Sequence, residues 1–300
     1  MTVCVAAIAR HGAIIFAADR MLSTDFRKYE PEASKILMFP NRTTFLLWAG
    51  DTALQAELLQ ELALIARSHA SGAPLISSIV EAYQEAYGRA FDRRMERRIL
   101  RRHNVALADY RAGKHRLDVA TVKRIDRRID DFQLREAVAV IIAGLDALGP
   151  HVWVVENDEP SCRDIEGFAA IGTGADAAVD FLRAAQYSPA RTQCETLLLT
   201  YAAKKRGEGS PTVGARTDVA SLVGLGAGGS VGSQVRQNLE AAYQVLLAGE
   251  QSALRTALDT LDASMQTLMQ EEGIQPALST PPSPADTPAP AAPLASTDGP

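Results

Sequence analysis

The sequence contains few cysteines, and those it has are far apart. Its 300 residues include Cys4, Cys162 and Cys194, which form no CxxC pair and accompany no cluster of histidines. An odd, scattered set of this kind argues against a disulfide or zinc framework and favours a reducing compartment. We therefore expect a cytoplasmic protein with no metal and no cofactor.

The sequence also lacks a large excess of charge of one sign. Its net charge of −5 argues against a chain dominated by nucleic-acid binding. The apolar segment 3–18 is interrupted at Arg10-His11-Gly12 and has no basic region before it, so it predicts neither a signal peptide nor a membrane span. A nucleic-acid partner and a membrane are both unexpected.

Two apolar hairpins begin the chain. The first turns at Arg10-His11-Gly12 and the second at Pro40-Asn41-Arg42. Because the strands of the first hairpin are apolar at every position, they indicate a sheet covered on both faces. No glycine-rich phosphate loop follows the first strand, which argues against a doubly wound parallel sheet. The four predicted strands are 3–8, 13–18, 34–39 and 43–49.

Helices and further strands then occur in blocks. Asp51 is expected to cap a helix that closes near Gly72, and a second helix begins at about Pro74. Blocks of this kind predict an α+β fold, namely a four-layer αββα sandwich of two antiparallel sheets between helix layers. The later strands are predicted at 137–144, 151–155, 168–171 and 217–223, and the later helices at 175–182, 191–205 and 231–269.

One domain is predicted for residues 1–274, and a disordered tail rich in Pro, Ala, Ser and Thr for 275–300. An arginine-rich helical insertion is expected at 88–136, turning near Ala112-Gly113. Its segment 89–136 has 15 basic and 8 acidic residues. Either these charges compensate one another on a solvated helix pair, or they form a surface for an acidic partner, a neighbouring subunit or nucleic acid.

Several short blocks occur in a specific order. Together they resemble proteasome β-subunits and the related bacterial proteasome-like peptidase subunits, which are N-terminal nucleophile hydrolases. The resemblance extends to about Val223 and leaves out the insertion. The blocks are 2–20 with its Ala-Ala-Asp-Arg ending, Lys35-Ile36, Ala-Gly-Asp-Thr-Ala at 49–53, 142–146 with Gly149-Pro150-His151, and Gly172-Thr173-Gly174.

The resemblance implies that Thr2 is the nucleophile once Met1 has been removed. The hydroxyl of Thr2 would attack, and its own α-amine would take up the proton. Lys35 would place an ammonium beside that hydroxyl, and Asp19 would keep Lys35 charged and oriented.

Three further residues complete the implied site. The backbone N–H of Gly50 is the natural oxyanion donor, because there a strand meets the N-terminus of a helix. The hydroxyl of Thr173 would help to orient the amine, and Ser210 would take over part of that role.

Each of these residues also has an ordinary interpretation. Asp19 followed by Arg20 is typical of a turn with a surface ion pair, and a lysine at the start of a strand, such as Lys35, is usually solvated. Gly50 is equally typical of a turn, and Gly172-Thr173-Gly174 of a tight connection between a strand and a helix.

The sequence departs from the family pattern in two places. The interval from Thr2 to Asp19 is one residue longer, which requires a bulge or a longer first turn. The loop before the last strand, 210–214, lacks the Asp that the family places near its nucleophile, and Glu208 is out of register with that position.

The resemblance implies a threonine-type endopeptidase subunit that assembles into stacked hexameric or heptameric rings. Its substrate would be a peptide or an unfolded protein, and an ATP-dependent unfoldase would be its partner. Two alternatives stay open. One is a catalytically weak or inactive ring-forming scaffold that binds a partner through the basic hairpin, and the other is a small-molecule amidase with the same nucleophile.

Overall fold

The computed structural model describes residues 2–23, 28–31, 34–68, 75–135, 138–210, 213–224 and 228–271. These residues form two five-stranded sheets, a two-stranded sheet and seven α-helices. Every strand pairing recorded among them is antiparallel. The predicted α+β class with two antiparallel sheets is therefore confirmed.

The elements alternate between groups of strands and groups of helices. In chain order the strands are β1 (Cys4–Ile8), β2 (Ile14–Asp19), β3 (Leu22–Ser23), β4 (Lys28–Tyr29), β5 (Ile36–Met38), β6 (Thr44–Gly50), β7 (Val138–Asp146), β8 (Gly149–Glu156), β9 (Glu159–Cys162), β10 (Phe168–Ile171), β11 (Thr217–Leu222) and β12 (Gly228–Ser230). The helices are α1 (Thr52–Ser68), α2 (Ile76–Arg98), α3 (Leu107–Arg111), α4 (Val119–Arg135), α5 (Ala175–Ala184), α6 (Gln193–Gly207) and α7 (Ser233–Glu271).

The first sheet has the strand order β10-β1-β2-β11-β12, and the second has the order β5-β6-β7-β8-β9. In the first hairpin, the pairing runs without interruption from Cys4 opposite Ala18 to Ile8 opposite Ile14. The extra residue of this hairpin is therefore accommodated in its turn and not in a bulge. His11 and Gly12 make that turn with φ of 64° and 80°.

Three apolar cores lie against these sheets. The core between the sheets contains Phe16 and Phe45, whose ring centroids are 4.7 Å apart. A second core joins the outer face of the second sheet to α1 and α2, and includes Trp48. The third joins the outer face of β1 to α5 and α6. This arrangement is compatible with a layered sandwich, since each sheet buries both of its faces.

The start of α1 follows from its sequence. The Asp51 carboxylate accepts the Leu54 N–H at 2.6 Å, which satisfies one of the free donors at a helix start. Four apolar side chains at helical spacing are then buried, namely those of Leu54, Leu58, Leu62 and Ile65. The described part of α1 ends at Ser68, so the end predicted near Gly72 and the start predicted near Pro74 lie outside the described residues.

The arginine-rich segment predicted at 88–136 contains the second half of α2 together with α3 and α4, and its boundary at Gly88 lies inside α2. A row of aromatic rings runs along this helix, and Phe91 meets Phe132 of α4 at a centroid distance of 5.3 Å. One arginine of the insertion is buried, because Arg94 is 3% exposed and donates to Glu57 at 3.0 Å. The predicted turn lies at the end of α3, where Gly113 has a φ of 66°.

Four short strands, β3, β4, β9 and β12, are not predicted by the sequence, and β9 and β12 show why. The edge strand β9 contains Pro160, which lacks an N–H and is tolerated at a sheet edge. The sequence of β12, Gly-Gly-Ser, gives no strand signal. Both strands form because a well-formed neighbour, β8 or β11, offers free backbone groups.

The chain divides into two compact units, Met1–Gln244 and Val245–Pro300. Of the second unit, the structure describes the part of α7 from residue 245 to 271. The tail predicted at 275–300 lies outside the described residues. Among the described helices, none combines the length and the apolar character that a membrane span requires.

Candidate active site

Three strand ends bring Thr2, Asp19 and Lys35 together. Thr2 lies two residues before β1, Asp19 ends β2, and Lys35 directly precedes β5. Because β1 and β2 are antiparallel, the start of one lies beside the end of the other. All three residues are buried, with exposures of 4%, 0% and 6%. The solvated interpretation of Lys35 is therefore wrong.

The ammonium of Lys35 donates to three different oxygens. Its Nζ lies 2.5 Å from Thr2 Oγ1, 2.9 Å from Asp19 Oδ1 and 2.6 Å from the carbonyl oxygen of Met21. An ammonium has three donors, so each of its protons has an acceptor. The positive charge is therefore held in one direction, against the hydroxyl of Thr2.

The carboxylate of Asp19 is equally satisfied. Oδ1 accepts the N–H of Val3 at 3.0 Å as well as Lys35. Oδ2 accepts the N–H of Met21 at 2.8 Å and that of Gly214 at 3.1 Å. A carboxylate has about four acceptor positions, and all of them are occupied here. Asp19 therefore holds Lys35 and three backbone segments together.

The segment Gly172-Thr173-Gly174 lies against the backbone of Thr2. The carbonyl oxygen of Thr2 accepts the N–H of Gly174 at 3.3 Å. The Thr173 hydroxyl donates to the same oxygen over a long distance of 3.5 Å. The Thr173 hydroxyl thus contacts the carbonyl group of Thr2, and its role in orienting the amine stays a prediction.

Ser210 lies in the loop that follows α6. Its carbonyl oxygen accepts the N–H of Val213 at 3.1 Å, and this turn leads the chain to Gly214 beside Asp19. Here the chain contributes the Gly214 N–H to the site. The amine-orienting role of the Ser210 hydroxyl stays a prediction.

Gly50 is the last residue of β6 and lies opposite Val138 of β7. It is exposed, and its φ of 117° lies in a region that favours glycine. It directly precedes Asp51, the residue that caps α1. Gly50 thus stands where the sheet ends and the helix begins, and its role as an oxyanion donor stays a prediction.

Arg20 and Cys4 flank the site, at the end of β2 and the start of β1. Arg20 makes a bidentate pair with Asp218, in which Nε lies 2.9 Å from both carboxylate oxygens. This pair joins the end of β2 to β11. Burial raises the pKa of the Cys4 thiol to about 12, an effect that the nearby charge of Lys35 partly offsets.

Sequence reasoning missed Met21, Gly214 and Lys204 as parts of the site. Met21 and Gly214 act through backbone groups, which any residue possesses, so the sequence carries no direct signal for them. Lys204 is a fully buried lysine on α6 whose Nζ lies 2.9 Å from the carbonyl oxygen of Gly214. The sequence hints at its burial only in that Lys204 follows the apolar residues Tyr201, Ala202 and Ala203 of that helix.

Chemically, the hydroxyl of Thr2 faces the fixed positive charge of Lys35, and the buried carboxylate of Asp19 is the counter-charge of Lys35. Such a positive charge stabilises an oxygen that develops negative charge.

Within the described residues, no group of three or more His, Cys, Asp or Glu side chains could hold a metal ion. No protein-family model matches this sequence, and no curated protein matches it.

Proposed function

We propose that this protein is a threonine-type amide-bond hydrolase whose nucleophile is the hydroxyl of Thr2. The observation that carries the proposal is the distance of 2.5 Å between Lys35 Nζ and Thr2 Oγ1. Lys35 is 6% exposed, and a lysine is seldom buried so deeply unless its charge is used or paired. Here it is both paired with Asp19 and directed at a hydroxyl.

The first step is the attack of Thr2 Oγ1 on the carbonyl carbon of the scissile amide. The proton of the hydroxyl passes to the α-amine that removal of Met1 would free, and from there to the leaving amine. Water then hydrolyses the resulting ester and regenerates Thr2. Met1 lies outside the described residues, and its removal is part of the proposal.

The charge of Lys35 lowers the free energy of the attacking oxygen as its negative charge grows. At about 4 Å and an effective dielectric constant of about 20, such an interaction is worth about 4 kcal/mol. Asp19 has no acceptor position left for a further proton donor. It therefore serves as a counter-charge, and the α-amine serves as the base.

Gly50 would supply the N–H that stabilises the oxyanion of the substrate. Its place before the capped start of α1 supports this role, because free N–H groups at a helix start favour negative charge. Removing such a donor typically costs about 10²–10³ in rate.

The fold that goes with this chemistry is the four-layer αββα sandwich of the N-terminal nucleophile hydrolases. Two antiparallel sheets with a shared core support it, as do the helices on their outer faces. Within this class we propose an endopeptidase subunit that acts on peptides or unfolded proteins. Hexameric or heptameric stacked rings, an ATP-dependent unfoldase partner and a cytoplasmic location are parts of the same proposal.

The test combines the intact mass of the purified protein with the hydrolysis of unfolded protein and of small fluorogenic amides. Mature protein should lack Met1, and Thr2→Ala should abolish turnover while Thr2→Ser retains a measurable part of it. Retention of Met1, or turnover that Thr2→Ala leaves unchanged, would overturn the mechanism. Cleavage of small amides without cleavage of protein would indicate a small-molecule amidase.

A further inference from the structure

Lys204 is fully buried near the end of α6, and every one of its donors is used. Its Nζ lies 2.6 Å from Glu208 Oε1, 2.9 Å from the carbonyl oxygen of Gly214 and 3.3 Å from that of Arg216. Burial lowers the pKa of Lys204, and the charge of Glu208 opposes this effect. A buried charge is tolerated when it is paired and hydrogen-bonded in this way.

Gly214 connects this buried ammonium to the site. Its carbonyl group accepts from Lys204, and its N–H donates to Asp19 Oδ2 at 3.1 Å. Asp19 in turn contacts Lys35, and Lys35 contacts Thr2. A continuous chain of hydrogen bonds therefore runs from α6 to the hydroxyl of Thr2.

We propose that Lys204 is a positioning residue for the Thr2 site. Lys204 fixes the carbonyl groups of Gly214 and Arg216 and so holds the loop 213–216 in place. In this position the Gly214 N–H donates to the fourth acceptor position of Asp19. The effect of Lys204 on catalysis rests on the proposed function of Thr2. Its effect on the loop does not.

The close packing around Gly214 supports the positioning role of Lys204. A Cβ atom placed on Gly214 would overlap Glu30 Oε1, and it would lie 2.9 Å from Met21 Cβ and 3.0 Å from the backbone nitrogen of Met21. The loop therefore packs directly against the residue whose carbonyl group binds Lys35. A shift of the loop away from Met21 would free one acceptor position of Asp19.

A simpler role for Lys204 is an ion pair with Glu208 that stabilises the end of α6. Two variants separate the roles. Glu208→Gln removes the ion pair but leaves Lys204 its two carbonyl acceptors. Lys204→Met has a similar volume and removes all three contacts. If Lys204 positions the loop, Lys204→Met should displace the Gly214 N–H from Asp19, whereas Glu208→Gln should not.

The experiment measures kcat, KM and the hydrogen exchange of the segment that contains Gly214. For Lys204→Met we expect kcat to fall by about 10–100-fold, since a displacement of 1 Å can cost about 10²-fold. KM should change by less than about 3-fold, because no substrate contact is removed. Exchange in the Gly214 segment should accelerate. Glu208→Gln removes the counter-charge of a buried ammonium and so lowers global stability, but under native conditions it should keep kcat and the exchange of the Gly214 segment close to wild type.

Lys204→Met removes one of the two lysines paired with Glu208, the other being Lys205 at 3.1 Å, and this loss lowers stability by itself. Lys204→Met/Glu208→Gln removes both charges, and Gly214→Ala displaces the same loop with Lys204 intact. Both variants should reproduce the loss of kcat and the faster exchange. An equal loss of kcat in Glu208→Gln, or wild-type exchange in Lys204→Met/Glu208→Gln, would overturn the positioning role.

Failure of the proposed function gives a different result. If wild type hydrolyses no amide, the function of Thr2 is refuted, yet the exchange of the Gly214 segment still reports whether Lys204 holds the loop. If wild type is active and Lys204→Met/Glu208→Gln is equally active, the positioning role is refuted and the nucleophile stands.

Discussion

Gly172 lies directly against the backbone of Thr2. Its φ is +92°, and a Cβ atom placed on it would overlap the carbonyl group of Thr2 and come within 3.3 Å of Thr2 Cβ. Only glycine fits here, for two reasons. The backbone conformation disfavours a side chain, and the space that a side chain would need is occupied by the residue that carries the hydroxyl.

Gly172→Ala should therefore displace Thr2 and lower kcat by about 10²-fold, the loss that a shift of about 1 Å can cause. Gly224→Ala is the matched control, because Gly224 also has a positive φ, +76°, but nothing lies within 4 Å of its Cβ position. The control should lose about 1–3 kcal/mol of stability from backbone strain and little activity. Steady-state kinetics and urea unfolding of both variants test this, and equal kinetic losses would contradict it.

Asp19 and Lys35 should behave as a coupled pair in stability measurements. Asp19→Asn leaves a buried ammonium without its counter-charge, and breaking a buried pair in this way costs about 3–5 kcal/mol. Adding Lys35→Met removes that uncompensated charge, so the double variant should be more stable than Asp19→Asn alone. Urea unfolding of the four proteins gives the coupling free energy, and additive effects would show that the two charges act independently.

The sequence predicts most of the elements because their signals are local. The apolar strands of the first hairpin, the Asp51 cap and the leucines of α1 all occur where these patterns place them. The close approach of Thr2, Asp19 and Lys35 is also predicted, but from the resemblance to a known family and not from local sequence patterns.

Other contacts of the site have no such signal. The N–H of Gly214 reaches Asp19 across 195 positions of the chain, and the carbonyl oxygen of Met21 accepts from Lys35. Backbone groups are the same in every residue, so only the folded path of the chain reveals which of them meet. Lys204 is hidden for a related reason, because its partners are two carbonyl groups and a neighbouring glutamate.

The three cysteines should differ in reactivity. Cys4 is fully buried between the sheets and burial raises its pKa to about 12, whereas Cys162 and Cys194 are exposed. Since the thiolate is the form that reacts, iodoacetamide at about pH 8 should modify two cysteines in the native protein and three after denaturation. Mass spectrometry counts the adducts. Rapid modification of Cys4 in the native protein would contradict the buried position of β1.

Asp146 should make the protein sensitive to acid. Burial acts to raise its pKa, but the N–H groups of Ile76 and Leu148 and the ring of His151 outweigh this effect, so the pKa of Asp146 is lowered. Because the folded pKa lies below the unfolded value of 3.8, the stabilisation is present above about pH 3.8 and is lost as the pH falls through the folded pKa.

Asp146→Asn should therefore cost about 1–3 kcal/mol at pH 7, which is typical of lost hydrogen bonds to a charged group. The difference from wild type should shrink toward pH 3. Urea unfolding at both pH values measures it. Asp164→Asn is a useful comparison, because Asp164 also contacts His151, at 2.7 Å, but does not bond to the start of α2. A constant difference at the two pH values would show that the charge of Asp146 is irrelevant.

The alternation of β1 fixes the place of Thr2 in a further way. Val3, Val5 and Ala7 pack against α5 and α6, whereas Cys4, Ala6 and Ile8 pack between the sheets. A slip of one residue would move every side chain of β1 into the opposite core, which is packed around side chains of a different size. An insertion between Thr2 and Val3 therefore cannot be absorbed by sliding the strand. The position of the Thr2 hydroxyl is therefore fixed by the number of residues that precede β1, because the two cores hold β1 in a single register.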